Sequence, residues 1–109
     1  MSDSRTNMAE LMQTLATARR EIAKKRDTVS CDGGDAAELV AHAYSFAGRD
    51  DATCNAKGAA VLRYVQAIVS DLQDIETKVR NIQAALKNAS DAVDENDAKR
   101  RQQRAKLGA

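Results

Sequence analysis

Proline and tryptophan do not occur in this chain, and aromatic residues make up only 3% of it. Strands draw on aromatic and β-branched side chains, and loops draw on proline. Their scarcity argues against both a β-rich fold and a loop-built one. Large core-forming side chains are few as well: Leu, Ile, Val and Phe supply 19 of 109 residues, below the roughly 20% at which disorder becomes a concern. A net charge is also missing. The 17 Lys and Arg set against 16 Asp and Glu leave +1, so self-repulsion does not drive the chain open. The scarcity reads as a thin core. Apolar burial contributes roughly 25 cal/mol per Å², and alanine, the commonest residue, offers little area. A lone copy should be marginal, and a partner would add the missing burial.

Other absences narrow the function. The balanced charge argues for neither nucleic acid nor membrane. Met1 to Glu10 holds no apolar run of the kind a secretory leader needs, and no stretch approaches the length of a membrane span. A soluble, intracellular protein is expected, cytoplasmic or nuclear. The single His42 cannot complete a usual zinc site with Cys31 and Cys54, which form no CxxC pair. No nucleophile–base pair or phosphate-binding glycine pattern can be assembled. The expectation is a protein without catalytic residues, metal or cofactor. His42 reads as a boundary or interface residue, and the two cysteines as independent reduced thiols, both open to a thiol reagent.

What is present is helical periodicity. Alanine is the best helix former, and 109 residues suit one domain. Met8, Leu11, Met12, Leu15, Ala18, Ile22 and Val29 recur at steps of mostly three and four, one face of a helix, predicted over about 4–28. Ser30 to Asp35 contains Gly33-Gly34, a stop signal, with Asp35 placed to cap a second helix. That short helix is predicted over about 36–47, with Ala36, Leu39, Val40, Ala43, Phe46 and Ala47 on one face and Gly48 as its C-terminal cap. On this layout Cys31 and Cys54 lie at opposite ends of the short helix, about 20 Å apart at 1.5 Å per residue. A disulfide needs Cα atoms within about 7 Å, so none is expected.

The dominant signal comes after Arg49 to Lys57, a polar connection with Asp50, Asp51 and Thr53 as turn or cap residues. Val61, Val65, Ile68, Leu72, Ile75, Val79, Ile82, Leu86, Ala89 and Val93 alternate at steps of four and three without a fault. More than four heptads of a 3.5 repeat is the coiled-coil signature. Val65, Leu72, Val79, Leu86 and Val93 take position a, and Val61, Ile68, Ile75, Ile82 and Ala89 take d. Leu62, Tyr64 and Val69 widen the stripe in the first half. From Ile75 onward it narrows, because Glu76, Gln83 and Ser90 stand at e. This helix is predicted over about 56–97.

The expected fold is therefore all-α: three helices, two shorter and one long, in a helical bundle or coiled coil over 1–98, with a basic tail over 99–109. The expected function is that of a small non-enzymatic subunit or adaptor of a coiled-coil assembly, homo- or hetero-oligomeric. Partner helices would pack on Leu72, Ile75, Val79, Ile82, Leu86, Ala89 and Val93. The alternative is a nucleic-acid-associated protein. It would use Arg19 to Arg26 and the tail residues Lys99, Arg100, Arg101 and Arg104, which could release counterions from phosphates. Neither cluster holds an aromatic residue for stacking on bases. Asp91, Asp94, Glu95 and Asp97 lack the spacing of a calcium loop and read as a salt-bridged helix end. On this reading Leu72→Asp and Ile75→Asp each bury an unpaired carboxylate. Each should abolish helicity or assembly by circular dichroism, while Thr77→Asp on the outer face should do little.

Overall fold

The computed structural model describes residues 2–108, with side chains from Asn7 onward. Two helices account for nearly all of it: α1, Ser2–Phe46, and α2, Asp51–Gly108. Among the described residues there is no strand. The all-helical expectation holds, but the number of helices is two rather than three. The break expected at Ser30 to Asp35 is absent, and α1 runs through Gly33-Gly34 without interruption. Asp35 is thus an exposed mid-helix residue and caps nothing. α2 begins at Asp51, ahead of the expected start, and continues through Lys99 to Gly108, the stretch set apart as a tail. Ala109, the last residue of that tail, lies outside the described residues.

The helix survives two glycines because of their surroundings. A glycine inside a helix costs about 1 kcal/mol relative to alanine, and a proline or polar run after it would convert that cost into a stop. Here a single Asp35 is followed by Ala36, Ala37, Glu38 and Leu39, all strong helix formers. Gly33 also lies directly under Val65 of α2. A Cβ at Gly33 would fall on both Val65 methyl groups and lie 3.2 Å from the Val65 Cβ. The glycine is a notch that receives the valine. Gly58 repeats the device from the other helix: a Cβ there would stand 3.2 Å from the Ala37 carbonyl oxygen and 3.4 Å from the Ala41 Cβ.

The contacts divide the chain into two units, Arg19–Thr77 and Met1–Ala18 with Lys78–Ala109. The first is a helical hairpin about the turn between Ala47 and Asp50. Its turn is set by backbone chemistry. Gly48 takes φ +81°, a left-handed conformation that glycine adopts at little cost. The Gly48 N–H donates to the Ser45 carbonyl at 3.0 Å and the Arg49 N–H to the Tyr44 carbonyl at 3.1 Å. That pair of bonds is a Schellman closure of α1, as expected at Gly48. Asp50 then caps α2: the Thr53 N–H donates to Asp50 Oδ1 at 2.9 Å. Hydrogen bonding from Thr53, side chain first and N–H second, holds the Asp50 carboxyl below its ordinary value. With the folded value depressed, the cap is intact above the ordinary carboxylate range and weakens as pH falls through the lowered value.

Beyond the turn, Ala37 and Cys54 are the only buried hydrophobic residues described, 4% and 6% exposed. They sit among Gly33, Ala41 and Gly58, so the inner layer near the turn is built from small side chains. The Cys54 thiol donates to the Arg49 carbonyl at 3.7 Å. Cys31 is exposed on α1, and both cysteines are free. Only Cys31 therefore offers an open thiol, a correction to the expectation that both would. Farther along the hairpin, Arg26 donates to Glu76 at 2.5 Å. The side chains keep 29% and 13% of their exposure, so the pair is largely withdrawn from water. In the second unit, Gln83 lies on α2 and Met12 on α1, and the Gln83 Nε2 donates to the Met12 carbonyl at 3.5 Å.

Gly33 and Gly34 make a matched test of the notch. Nothing lies within 4 Å of a Cβ built at Gly34, so Gly34→Ala should stabilise the chain by up to about 1 kcal/mol through helix propensity. Gly33→Ala gains the same propensity but drives a methyl into a β-branched side chain that cannot rotate away freely. Overpacking usually costs about 1–3 kcal/mol, so after the propensity gain it should lose up to about 2 kcal/mol net. Urea unfolding followed by circular dichroism checks both signs. Two stabilising substitutions would show that the close approach is not a real constraint.

Candidate protein-interaction surface

The a and d rows of α2 form one seam in the sequence, and the structure separates them. In the Arg19–Thr77 unit, Val65, Val69, Leu72 and Glu76 are half-buried, whereas Ile68 and Ile75 are exposed at 47% and 44%. In the other unit, Val79, Gln83, Leu86 and Ser90 are half-buried, and Ile82, Ala89 and Val93 are exposed. From Val65 to Ser90 the covered positions are thus a and e, and d is left open; outside that stretch Val61 at d is half-buried, and Leu62 at e and Val93 at a are exposed. Val65 at a meets Gly33, while Glu76 and Gln83 at e meet Arg26 and Met12.

The cause lies in α1. Its half-buried residues include Met12, Leu15, Arg19, Ile22, Arg26, Val29 and Gly33, themselves spaced alternately three and four apart. Two of those seven are arginines. An Arg facing another helix needs an acceptor, and α2 offers Glu76 at e, not an isoleucine at d. Burial of one guanidinium and its carboxylate is tolerable only when the two pair. Pairing Arg26 with Glu76 therefore turns α2 so that its e side faces α1. The isoleucines, one per heptad, are swung to the flank.

Of the seven residues assigned to partner binding, Leu72, Val79 and Leu86 are half-buried, and Ile75, Ile82, Ala89 and Val93 are exposed. Ile68 belongs with the exposed set, and sequence reasoning left it out. Further apolar side chains stand in solvent elsewhere: Leu39 and Tyr64, and Phe46 at 98%, where α1 ends. Of the face Ala36, Leu39, Val40, Ala43, Phe46 and Ala47, Val40 is half-buried and the other five are exposed, because Ala37 and not Ala36 meets α2. The Lys57 ammonium lies 5.3 Å from the Tyr44 ring centroid, a cation–π distance.

His42 is exposed on α1. Lys99, Arg100, Arg101 and Arg104 are exposed on the last turns of α2. In the cluster Arg19 to Arg26, Lys24 and Lys25 are exposed, while Arg26 is held by Glu76. A recess of about 460 Å³ beside the turn is lined by residues including Asp35, Glu38, Asn55 and Leu62, with no Ser, Cys, His or Lys among them. Among the described residues no three His, Cys, Asp or Glu side chains converge to hold a metal, and no helix is long and apolar enough to cross a membrane. No known protein family, characterised protein or solved structure matches this chain.

The split between the rows changes the consequence expected of substitutions. Leu72 is half-buried and Ile75 exposed, so the two should no longer behave alike. Leu72→Asp should destabilise the hairpin itself by about 2–3 kcal/mol, within the range for placing an unpartnered polar group in a packed site. Ile75→Asp and Thr77→Asp should each stay within about 1 kcal/mol of the parent, the usual range for surface positions. Urea unfolding of the three variants at low protein concentration separates them. Equal losses at positions 72 and 75 would mean that both rows face α1.

Proposed function

We propose that this chain is a small non-enzymatic subunit or adaptor of a helical assembly, and that partner helices dock on the d row of α2. The observation that carries this reading is the exposure of Ile68, Ile75 and Ile82 at intervals of seven residues. Isolated apolar residues on a surface need no explanation, but an ordered apolar row is what marks an interaction site. A heptad row of isoleucines selects a helix as its complement, because a facing helix offers holes at the same 3.5 repeat.

The thin interior supports the same reading. Ala37 and Cys54 are the only buried hydrophobic residues described, and a partner laid on α2 would add apolar burial that the chain itself lacks. The alternative of nucleic-acid binding draws on the exposed Lys99 to Lys106 segment. It is weakened at the first cluster, where Arg26 is committed to Glu76.

Capture from native extract tests the proposal. The tagged parent chain should retain one or more helical proteins after crosslinking, untagged copies of itself included. Ile75→Asp combined with Ile82→Asp should lose them while keeping its helical circular dichroism. Equal capture by parent and variant would remove the row from the mechanism. Retention of RNA or DNA that is released steeply by salt, with no row-dependent protein, would put the basic segment in its place.

A further inference from the structure

We propose that the partner on this row is a second copy of the same chain, with the two α2 helices antiparallel and Ile75 facing its own counterpart. This deepens the helix-docking reading and rests on it. The ground for it is the pattern of charge and size beside the isoleucines. Asp71 and Lys78 lie four residues before and three residues after Ile75, both exposed. On a helix those spacings place them on the same side of Ile75, on the flank away from the covered e row.

When two α2 helices cross antiparallel at Ile75, Ile68 of one copy meets Ile82 of the other, and by symmetry the reverse. Asp71 meets Lys78 of the second copy, again twice, as an isologous interface requires. Farther out, Tyr64 comes opposite Ala85, a large side chain against a small one. A parallel pair in register would set Asp71 against Asp71 and Lys78 against Lys78. The row is therefore self-complementary in one direction only, and like charges oppose the other. The chain as a whole is nearly neutral at +1, so two copies do not repel at long range.

The dimensions suffice. Tyr64 to Ala85 is about three heptads, roughly 33 Å of helix at 1.5 Å per residue.

Sedimentation equilibrium of the purified full-length chain over a range of concentrations tests the inference. A reversible dimer is expected. Ile75→Gln keeps a good helix former at an exposed position, so it should yield a monomer of unchanged helicity. Asp71→Asn removes two ion pairs from each dimer and should weaken it several-fold. Asp71→Lys combined with Lys78→Asp reverses both partners and should restore it. A monomer at every concentration overturns the proposal, as does a dimer indifferent to Ile75→Gln. So does a dimer that Asp71→Asn strengthens, because relief of repulsion is the mark of the parallel arrangement. A monomer that still shows row-dependent capture of a different protein overturns the second copy and leaves helix docking in place. A monomer with no row-dependent capture overturns both.

Discussion

The approach of α1 to α2 at Gly33 and Gly58 governs much of the hairpin. Where a helix carries hydrogen in place of a side chain, its neighbour can come close enough for a valine methyl or a backbone carbonyl to fill the gap. That contact lets small residues, Ala37, Ala41 and Cys54, form an interior without large side chains. It also fixes rotation, since Val65 can enter the Gly33 notch only if the a position of α2 points at α1. The Arg26–Glu76 pair imposes the same rotation about three turns away. An apolar contact and an ionic one thus agree on which side of α2 is covered. The isoleucine row is open as a result of that agreement.

Such an arrangement divides labour between two faces of one helix. The a/e face of α2 is mixed in character, with Val65, Leu72, Val79 and Leu86 alternating with Glu76, Gln83 and Ser90. It suits a partner joined covalently through a short turn, for which high local concentration substitutes for a large apolar contact. The d row is purely apolar over Ile68, Ile75 and Ile82, the character needed by a contact that must offset the loss of translational freedom. On the proposed reading, the stronger face is kept for the interaction that has no tether.

Much of the fold was legible in the residues. The absence of proline, the abundance of alanine and the faultless 4-3 spacing from Val61 to Val93 predict helix, and helix is found. Gly48 and Asp50 read correctly as cap and turn residues because their roles are local: left-handed φ and an N-cap oxygen depend on a few neighbours. Gly33-Gly34 misled for the opposite reason. A glycine that ends a helix and one that admits a facing valine are identical in sequence, and only the tertiary neighbour separates them. The seam misled in a subtler way. Counting apolar residues alone joined a and d, while the signal that separates them lies in polar residues at the same period: Arg19 and Arg26 on one helix, Glu76 and Gln83 on the other. Reading charges with heptad spacing as core-facing would have found it.

The smallness of the interior has a thermal consequence. The heat capacity change on unfolding comes mainly from apolar surface newly exposed to water. With Ala37 and Cys54 as the only buried hydrophobic residues described and the larger apolar side chains at most half-buried, a single chain has less such surface to expose than a domain with a filled core. Its free energy of folding therefore varies gently with temperature, along a low, broad curve without the steep shoulders of a well-filled domain. Such a chain gives up its structure over a wide interval of heat, and it resists the cold more evenly than a protein whose stability is concentrated in a large apolar core.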